Sequence, residues 1–515
     1  MRLIDLFDRG YTLNPDGDCL IQGTEKLTYR EVWRASHRIA NRLRSLDLGD
    51  EAAIAMLSNN HLYTMVAVLG ILRSGYVWLP LNTRFASDEV EHALRIHEAR
   101  FIFYHSDFSK DLLPLLDTLP SLRGSAVIDD SSGTLTSVLH WMNESDETLV
   151  DILQSPDTVV AIRSTSGTTG PSKGVLATNG VYATMFANFF SVLPITRRPV
   201  HLAAAPLSHA AGTLCFATMA FGGTSVILAK AVPEDILSAI EAHRITHVFV
   251  PPTLIYMLLD SRNISKHDYS SLQYLIYSAA PMSVERLKQA LSVFGPVMAQ
   301  TFGQAEAPFF CAILTPQDHV LEEGIQSRRL ASCGRATPFT RLGIMDDDGK
   351  LLAPNEVGEL VVRSGLVMKG YFRNPEATAA VSKYGWHHTG DMAYSDEDGY
   401  FYLVDRKRDL IISGGFNIFP GEVEQVLWSH PSVADCAVIG VPDEIWGESV
   451  KAVIELKPGS DANADELIAL CRARLGSMKA PKSVDFWSLL PRSPNGKVLK
   501  KDIRSKYWSG HERKI

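Results

Sequence analysis

Between residues 158 and 302, short apolar runs alternate with segments of helical pattern, and no other feature of the chain narrows its fold as much. Residues 158–163, 225–228, 248–250, 275–277 and 297–302 read as strands. Residues 233–244 read as a helix: Pro233 opens it, Glu234 and Asp235 sit in its first turn, and Ile236, Leu237 and Ile240 share a face. Ser283 caps a second helix that carries Leu287 and Leu291. A helix between two strands returns the chain in the same direction, so the strands pair in parallel and helices cover the sheet. The expected fold class is α/β, with a large N-terminal domain of mostly parallel, helix-covered sheets.

The pattern changes after about residue 335. Residues 341–352 read as a hairpin around D-D-D-G, and 359–363 and 400–404 as half-buried strands of a β-rich subdomain. Past 405 the elements are short and mixed: strands at 433–441, 450–456 and 484–487, and a helix at 465–475. They suit a small α+β C-terminal domain. The boundary is expected in D-R-K-R-D, 405–409, whose charge argues against burial. The expected division is 1–405, a hinge at 406–409, and a mobile domain at 410–515.

A formal charge of −8 over 515 residues gives no pull toward nucleic acid or an anionic membrane. The start, M-R-L-I-D-L-F-D-R-G, has acids where a signal peptide needs an apolar run. Six cysteines lie far apart with no C-x-x-C pair, which fits buried thiols of a reducing compartment, the cytoplasm. Residues 199–229 carry no Asp, Glu, Lys or Arg and could in length span a bilayer. Pro206, Ser208, His209, Gly212 and Gly222-Gly223 interrupt them, so a buried strand, a loop and a buried helix are expected instead.

At 164–175 the chain reads S-T-S-G-T-T-G-P-S-K-G-V. Backbone N–H groups in such a turn form an anion-binding nest, and Gly167 and Gly170 allow a ligand close to the backbone. The Walker A pattern is not met: Ser172 stands where its second glycine belongs, and Gly174 follows Lys173. On these residues alone the stretch is a nucleotide loop or a polar surface loop.

Six further segments follow in order: P-L-S-H-A-A-G (206–212), S-A-A-P (278–281), T-F-G-Q-A-E (301–306), H-T-G-D (388–391), D-R-K-R-D-L-I-I-S-G-G-F-N-I-F-P-G-E-V-E (405–424) and P-R-S-P-N-G-K (491–497). Together with the loop they resemble the motifs of the adenylate-forming superfamily, which includes acyl-CoA synthetases, 4-coumarate:CoA ligases and firefly luciferase. The resemblance covers nearly the whole chain. It implies two half-reactions: a carboxylate attacks the α-phosphate of ATP and releases pyrophosphate, and a thiol then displaces AMP. Joining an anion to a polyanion calls for fixed positive charge and oriented dipoles.

The resemblance also implies roles. Thr165, Ser166, Gly167, Thr168, Thr169, Gly170 and Lys173 would hold the terminal phosphates, and Glu306 with Thr165 would hold magnesium. Ser278, Ala279, Ala280, Pro281 and Phe302 would flank adenine, though Phe302 also reads as a core aromatic. Gly303, Gln304 and Ala305 continue that nucleotide wall. Asp391 would accept from the ribose hydroxyls, with Arg406 in support. Lys497 would bridge the substrate carboxylate and the α-phosphate, then leave as the small domain turns about Arg408. Ser413, Gly414, Gly415 and Phe416 would then face coenzyme A.

His209, Ala210, Ala211, Gly212, Met282 and Phe309 would border the acyl pocket. His209 either takes part in catalysis or is a structural histidine. No acid stands near His209 to pair with a substrate ammonium, which argues against an amino acid. An apolar acid is expected, aromatic or a medium-chain fatty acid. One departure is Ala305, where the family usually has threonine.

The expected protein is an acyl-CoA synthetase using ATP, magnesium and coenzyme A, with no membrane span; a homodimer is compatible with this. A carrier-protein pantetheine as acceptor, and a non-catalytic nucleotide-binding protein, are the alternatives.

Overall fold

The computed structural model describes residues 1–116, 118–130, 136–144, 146–164, 173–319, 328–406, 409–492 and 498–508, apart from the side chains of Glu144 and Arg406. Two large sheets dominate. One runs Gly370–Tyr371, Gly174–Thr178, Val159–Ser164, Val77–Pro80, Ala53–Leu57, Phe101–Tyr104, Ser125–Val127 across its width. From Val159–Ser164 to Ser125–Val127 its neighbours are parallel; Gly174–Thr178 turns back antiparallel on Val159–Ser164. Ser164 and Gly174, which with Lys173 flank the 165–172 segment in the sequence, are paired across these two strands.

The second large sheet has a parallel centre: Met298–Phe302, Tyr274–Tyr277, His247–Phe249, Val200–Ala203, Thr224–Ile227 and Asp18–Gln22. Val200–Ala203, Thr224–Ile227, His247–Phe249 and Tyr274–Tyr277 are each followed by a helix, as the alternation demanded. The core between the sheets is filled by four helices, Tyr29–Ser45, Leu62–Arg73, Asn179–Val192 and Ala210–Met219. Ala210–Met219 is apolar on every side and buried from Ala211 onward, which accounts for the uncharged stretch. No described helix is long and apolar enough to cross a membrane.

A smaller antiparallel sheet pairs Thr340–Met345, Gly358–Ser364, Trp386–Ser395 and Phe401–Arg406. The hairpin expected at 341–352 shrinks to a single bridge between Met345 and Leu351. Its first strand pairs with Gly358–Ser364 along its whole length instead, which completes more ladder hydrogen bonds.

From Ile411 on, a fourth sheet and the helices Pro420–Trp428 and Ala464–Lys479 enclose apolar clusters drawn wholly from residues 411–507. The molecule is thus α/β, with a large N-terminal part built on parallel sheets and a smaller C-terminal domain. The charge of D-R-K-R-D does not keep its two aspartates exposed. Asp409 is buried and bonded by Arg504 at 2.8 Å, and Asp405 lies 3.3 Å from Lys500. Paired charges can be buried where single ones cannot. All six cysteines are free and buried.

Candidate active site

Residues 165–170, Lys497 and Arg408 lie outside the described residues, as does the side chain of Arg406. The remaining candidates fall into four groups.

The first group brings adenine-side candidates, at the C-terminal ends of parallel strands where open α/β sheets bind ligands, against the ribose-side candidate Asp391 on the antiparallel strand Trp386–Ser395. Tyr274–Tyr277 and Met298–Phe302 are neighbours, so Ser278 leaves one strand beside Thr301 and its hydroxyl donates to the Thr301 carbonyl at 2.6 Å. Ala279 follows at φ 77° and Phe309 at φ 68°. Non-glycine residues held there cost of order 1–3 kcal/mol each, and such strain gathers at ligand sites. Ala279 and Pro281 are exposed, Ala280 is half-buried, and Met282 is buried. Phe302 is buried in the main core.

At Gly303 an added Cβ would stand 2.3 Å from the Phe309 nitrogen, so the chain can fold back only on glycine. The fold-back aims Gln304, whose amide donates to the Thr389 carbonyl and to Asp391 Oδ2, both at 2.8 Å. T-F-G-Q and H-T-G-D thereby meet. Asp391 is buried, and a carboxylate fixed in this way suits the acceptance of hydroxyl hydrogens.

The second group centres on Glu306. The Tyr371 hydroxyl donates to Glu306 Oε1 at 2.7 Å, and Oε2 takes no hydrogen bond among the described residues. Lys173, exposed, places its ammonium 4.9 Å from the centroid of the Tyr371 ring. His387 is buried nearby, with neither ring nitrogen hydrogen-bonded among the described residues. Burial lowers its pKa, so it stays neutral and does not compete with a cation for Glu306. A half-buried carboxylate with one oxygen clamped and one open fits a hard dication such as magnesium. Ala305 packs against Val175, Met368 and Tyr371, a small apolar cluster at this place.

The third group borders the acyl side. His209 caps the helix Ala210–Met219 and lies half-buried, its Nδ1 3.1 Å from the Ser208 hydroxyl. Ala210 is half-buried beside it. The small size of the next two residues serves packing. Ala211 is fully buried with its carbonyl 3.1 Å from His201 Nε2, and a Cβ on Gly212 would meet the Leu207 carbonyl oxygen at 1.8 Å. The room expected from them is filled by protein. Phe309 packs edge-on against Phe249 and Phe310, at 5.4 and 4.7 Å between centroids.

Two residues here escaped the sequence reading. Tyr371 is one. Arg163 is the other: a half-buried guanidinium 3.5 Å from both the Tyr182 hydroxyl and the Ser208 carbonyl, with no carboxylate paired to it among the described residues. A charge ending the apolar run V-V-A-I was its only signal.

The fourth group stands on the C-terminal domain. Ser413 is buried and pairs with Gly447, while Gly414, Gly415 and Phe416 are exposed at the tip of a hairpin. The Gly414 N–H donates to the Trp446 carbonyl at 2.8 Å. No hydrogen bond or ion pair among the described residues joins 413–416 to Glu306 or Asp391.

Comparison with known proteins identifies the family. The sequence profile of the AMP-binding enzyme matches residues 7–372, and that of the AMP-binding enzyme C-terminal domain matches 422–497. The medium/long-chain-fatty-acid–CoA ligase FadD8 of Mycobacterium tuberculosis is 34% identical over 96% of this chain and 88% of its own length. The feruloyl-CoA synthase of Amycolatopsis sp is 35% identical over 96% of this chain and 97% of its own. The amide bond synthetase McbA of Marinactinospora thermotolerans superposes with a TM-score of 0.89 at 29% identity, covering 98% of this chain and 100% of that one. The chain belongs to the AMP-binding enzyme family, the adenylate-forming superfamily, as one of its acid–thiol ligases.

Proposed function

We propose that this protein is an ATP-dependent acyl-CoA synthetase for an apolar carboxylic acid, aromatic or of medium chain length. The observation that carries the proposal is the convergence of Gln304 with Asp391, and of Lys173 with Glu306 through Tyr371, Gln304 and Glu306 both following the strand Met298–Phe302. A carboxylate oxygen of the acid attacks the α-phosphorus, the bond to the bridging oxygen breaks, and pyrophosphate leaves with that electron pair. Lys173 lies at the exit of the 165–172 loop and meets the departing phosphates. Asp391, fixed by Gln304, orients the ribose so that the α-phosphate faces the acid. Glu306 would hold magnesium, which when bound neutralises phosphate charge. In the second step the thiolate of coenzyme A attacks the acyl carbon and AMP leaves.

The small domain, 410–515, turns about 406–409 between the two steps. Lys497 serves the first step, and the exposed tip Gly414–Phe416 serves the second. Glycine and an open edge there let a pantetheine arm pass near backbone. The apolar rings at Phe309, Phe249 and Phe310 favour an apolar acid, as do relatives named for medium/long-chain fatty acids and for feruloyl-CoA. The six free, buried thiols support a reducing compartment, the cytoplasm.

The test is a panel of benzoic, cinnamic and C4–C12 fatty acids assayed with ATP, magnesium and coenzyme A. Acid-dependent ATP–pyrophosphate exchange and a thioester of matching mass are expected. Exchange with no acid of the panel would refute the reading; exchange without thioester would move the acceptor to a carrier protein. Lys497→Ala is expected to lose the exchange by about 100-fold or more while keeping thioester formation from supplied acyl-adenylate.

A further inference from the structure

The segment 367–372 holds both sides of the metal and phosphate group. Gly370–Tyr371 pairs with Val175 and Leu176, and the Phe372 N–H donates to the Gly174 carbonyl at 2.7 Å, immediately after Lys173. The Met368 N–H donates to the Glu306 carbonyl, also at 2.7 Å. One short stretch therefore fixes the backbone of the carboxylate and the backbone leaving the phosphate loop. Its side chain Tyr371, 8% exposed, stands between the two charges with its hydroxyl on Glu306 Oε1 and its ring beneath the Lys173 ammonium.

Lys173 and Glu306 form no direct ion pair among the described residues. Direct pairing would neutralise both groups and offer neither to a ligand. The phenol ring separates them and gives each its own contact: a donor for the anion, a π face for the cation. The donor occupies Oε1 and leaves Oε2 for coordination.

We propose that Tyr371 is a positioning residue that orients Glu306 toward a divalent cation while holding Lys173 apart from it for the phosphates. This rests on the reading of Glu306 as the metal carboxylate. The measurement is equilibrium binding of ATP by calorimetry, without acid, once with magnesium and once with EDTA. Hydrogen bonds to charged groups and exposed cation–π contacts set the expected sizes. Tyr371→Phe keeps the ring and loses the donor, so Mg·ATP binding weakens about tenfold while metal-free ATP changes by less than about twofold. Tyr371→Leu also loses the ring, and metal-free ATP then weakens about threefold.

On a Glu306→Gln background, Tyr371→Phe has no further effect. If Glu306→Gln weakens Mg·ATP but Tyr371→Phe does not, the proposal is overturned and the metal reading stands. If Glu306→Gln leaves Mg·ATP binding unchanged, the metal reading itself falls. Additive effects of the two changes, or loss of metal-free binding in Tyr371→Phe, would make Tyr371 a structural prop and also overturn the proposal.

Discussion

Lys173 is exposed, with its ammonium over a neutral aromatic ring. Lys500 lies in the C-terminal domain, 2.9 Å from Glu424 and 3.3 Å from Asp405, in a cluster where all three side chains are largely buried. Burial opposes the charge on Lys500, yet Asp405 and Glu424 outweigh it and raise its pKa above the ordinary lysine value. A cation over a ring keeps its field available to an arriving anion. A cation between two buried carboxylates has its field cancelled and serves the fold. Lysines of the same chain thus divide into one exposed over a ring and one buried between carboxylates. Their sequence neighbourhoods would not have sorted them, since Lys500 sits in what reads as a solvated basic tail.

The largest effect should fall on Lys500. Lys500→Met leaves Glu424 and Asp405 facing each other in a buried place and should cost about 3–5 kcal/mol of stability, read by thermal or urea unfolding. The cost should depend on pH. Burial already raises the Glu424 pKa above its ordinary 4.5, and loss of the lysine raises it further. A carboxyl whose folded pKa exceeds its unfolded one binds more protons when folded, so stability falls as pH rises from below 4.5. Lys500→Met should therefore lie nearest the parent in acid and fall away toward neutral pH. An equal gap at both ends would mean the cluster is not ionised as described.

Lys173→Met should do the reverse. The unfolding midpoint is expected within about 0.5 kcal/mol of the parent, as for an exposed site, while kcat/KM for ATP drops on the order of 100-fold. A change confined to stability would erase the contrast between the two lysines. The smallest effect is expected at Ala305→Thr. Its side chain sits against the Val175, Met368 and Tyr371 cluster, and an added hydroxyl there should change adenylation by less than about threefold. Abolished exchange would show that the Tyr371 contact cannot tolerate a larger neighbour.

Much of the large part of the molecule was legible because its pattern is local. Pro233–Ala242 begins at the expected proline, the Ser283 hydroxyl accepts from Arg286 N–H as a cap, and the uncharged stretch is a strand, a loop and a buried helix. Capping and hydrophobic period act within one or two turns, so a single sequence carries them. The hairpin at 341–352 is a turn closed by one bridge and no longer, because its turn residues name a reversal but not a strand's preferred partner. The boundary at 405–409 was placed on charge, and its acids turned out to be paired rather than hydrated.

At the site, the motifs named Glu306, Gln304, Asp391 and Lys173, and tertiary structure joined them. The Gln304–Asp391 bond spans 87 positions and the Tyr371–Glu306 bond spans 65. Nothing in G-Y-F-R-N-P marks its tyrosine as the link, because the partner lies on another strand end. Ala211 and Gly212 looked like room for a substrate, and the fold uses their smallness to bring a helix against Leu207.

The sequence by itself determined the alternation of strands and helices, the inventory of phosphate-handling residues and the family. Those follow from periodicity and from motifs whose residues are consecutive. Only the tertiary structure decided which charges remain accessible, which small residues are filled by neighbours, and that a phenol stands between Lys173 and Glu306. Charge availability depends on burial and on partners distant along the chain, and neither is a property of local spacing.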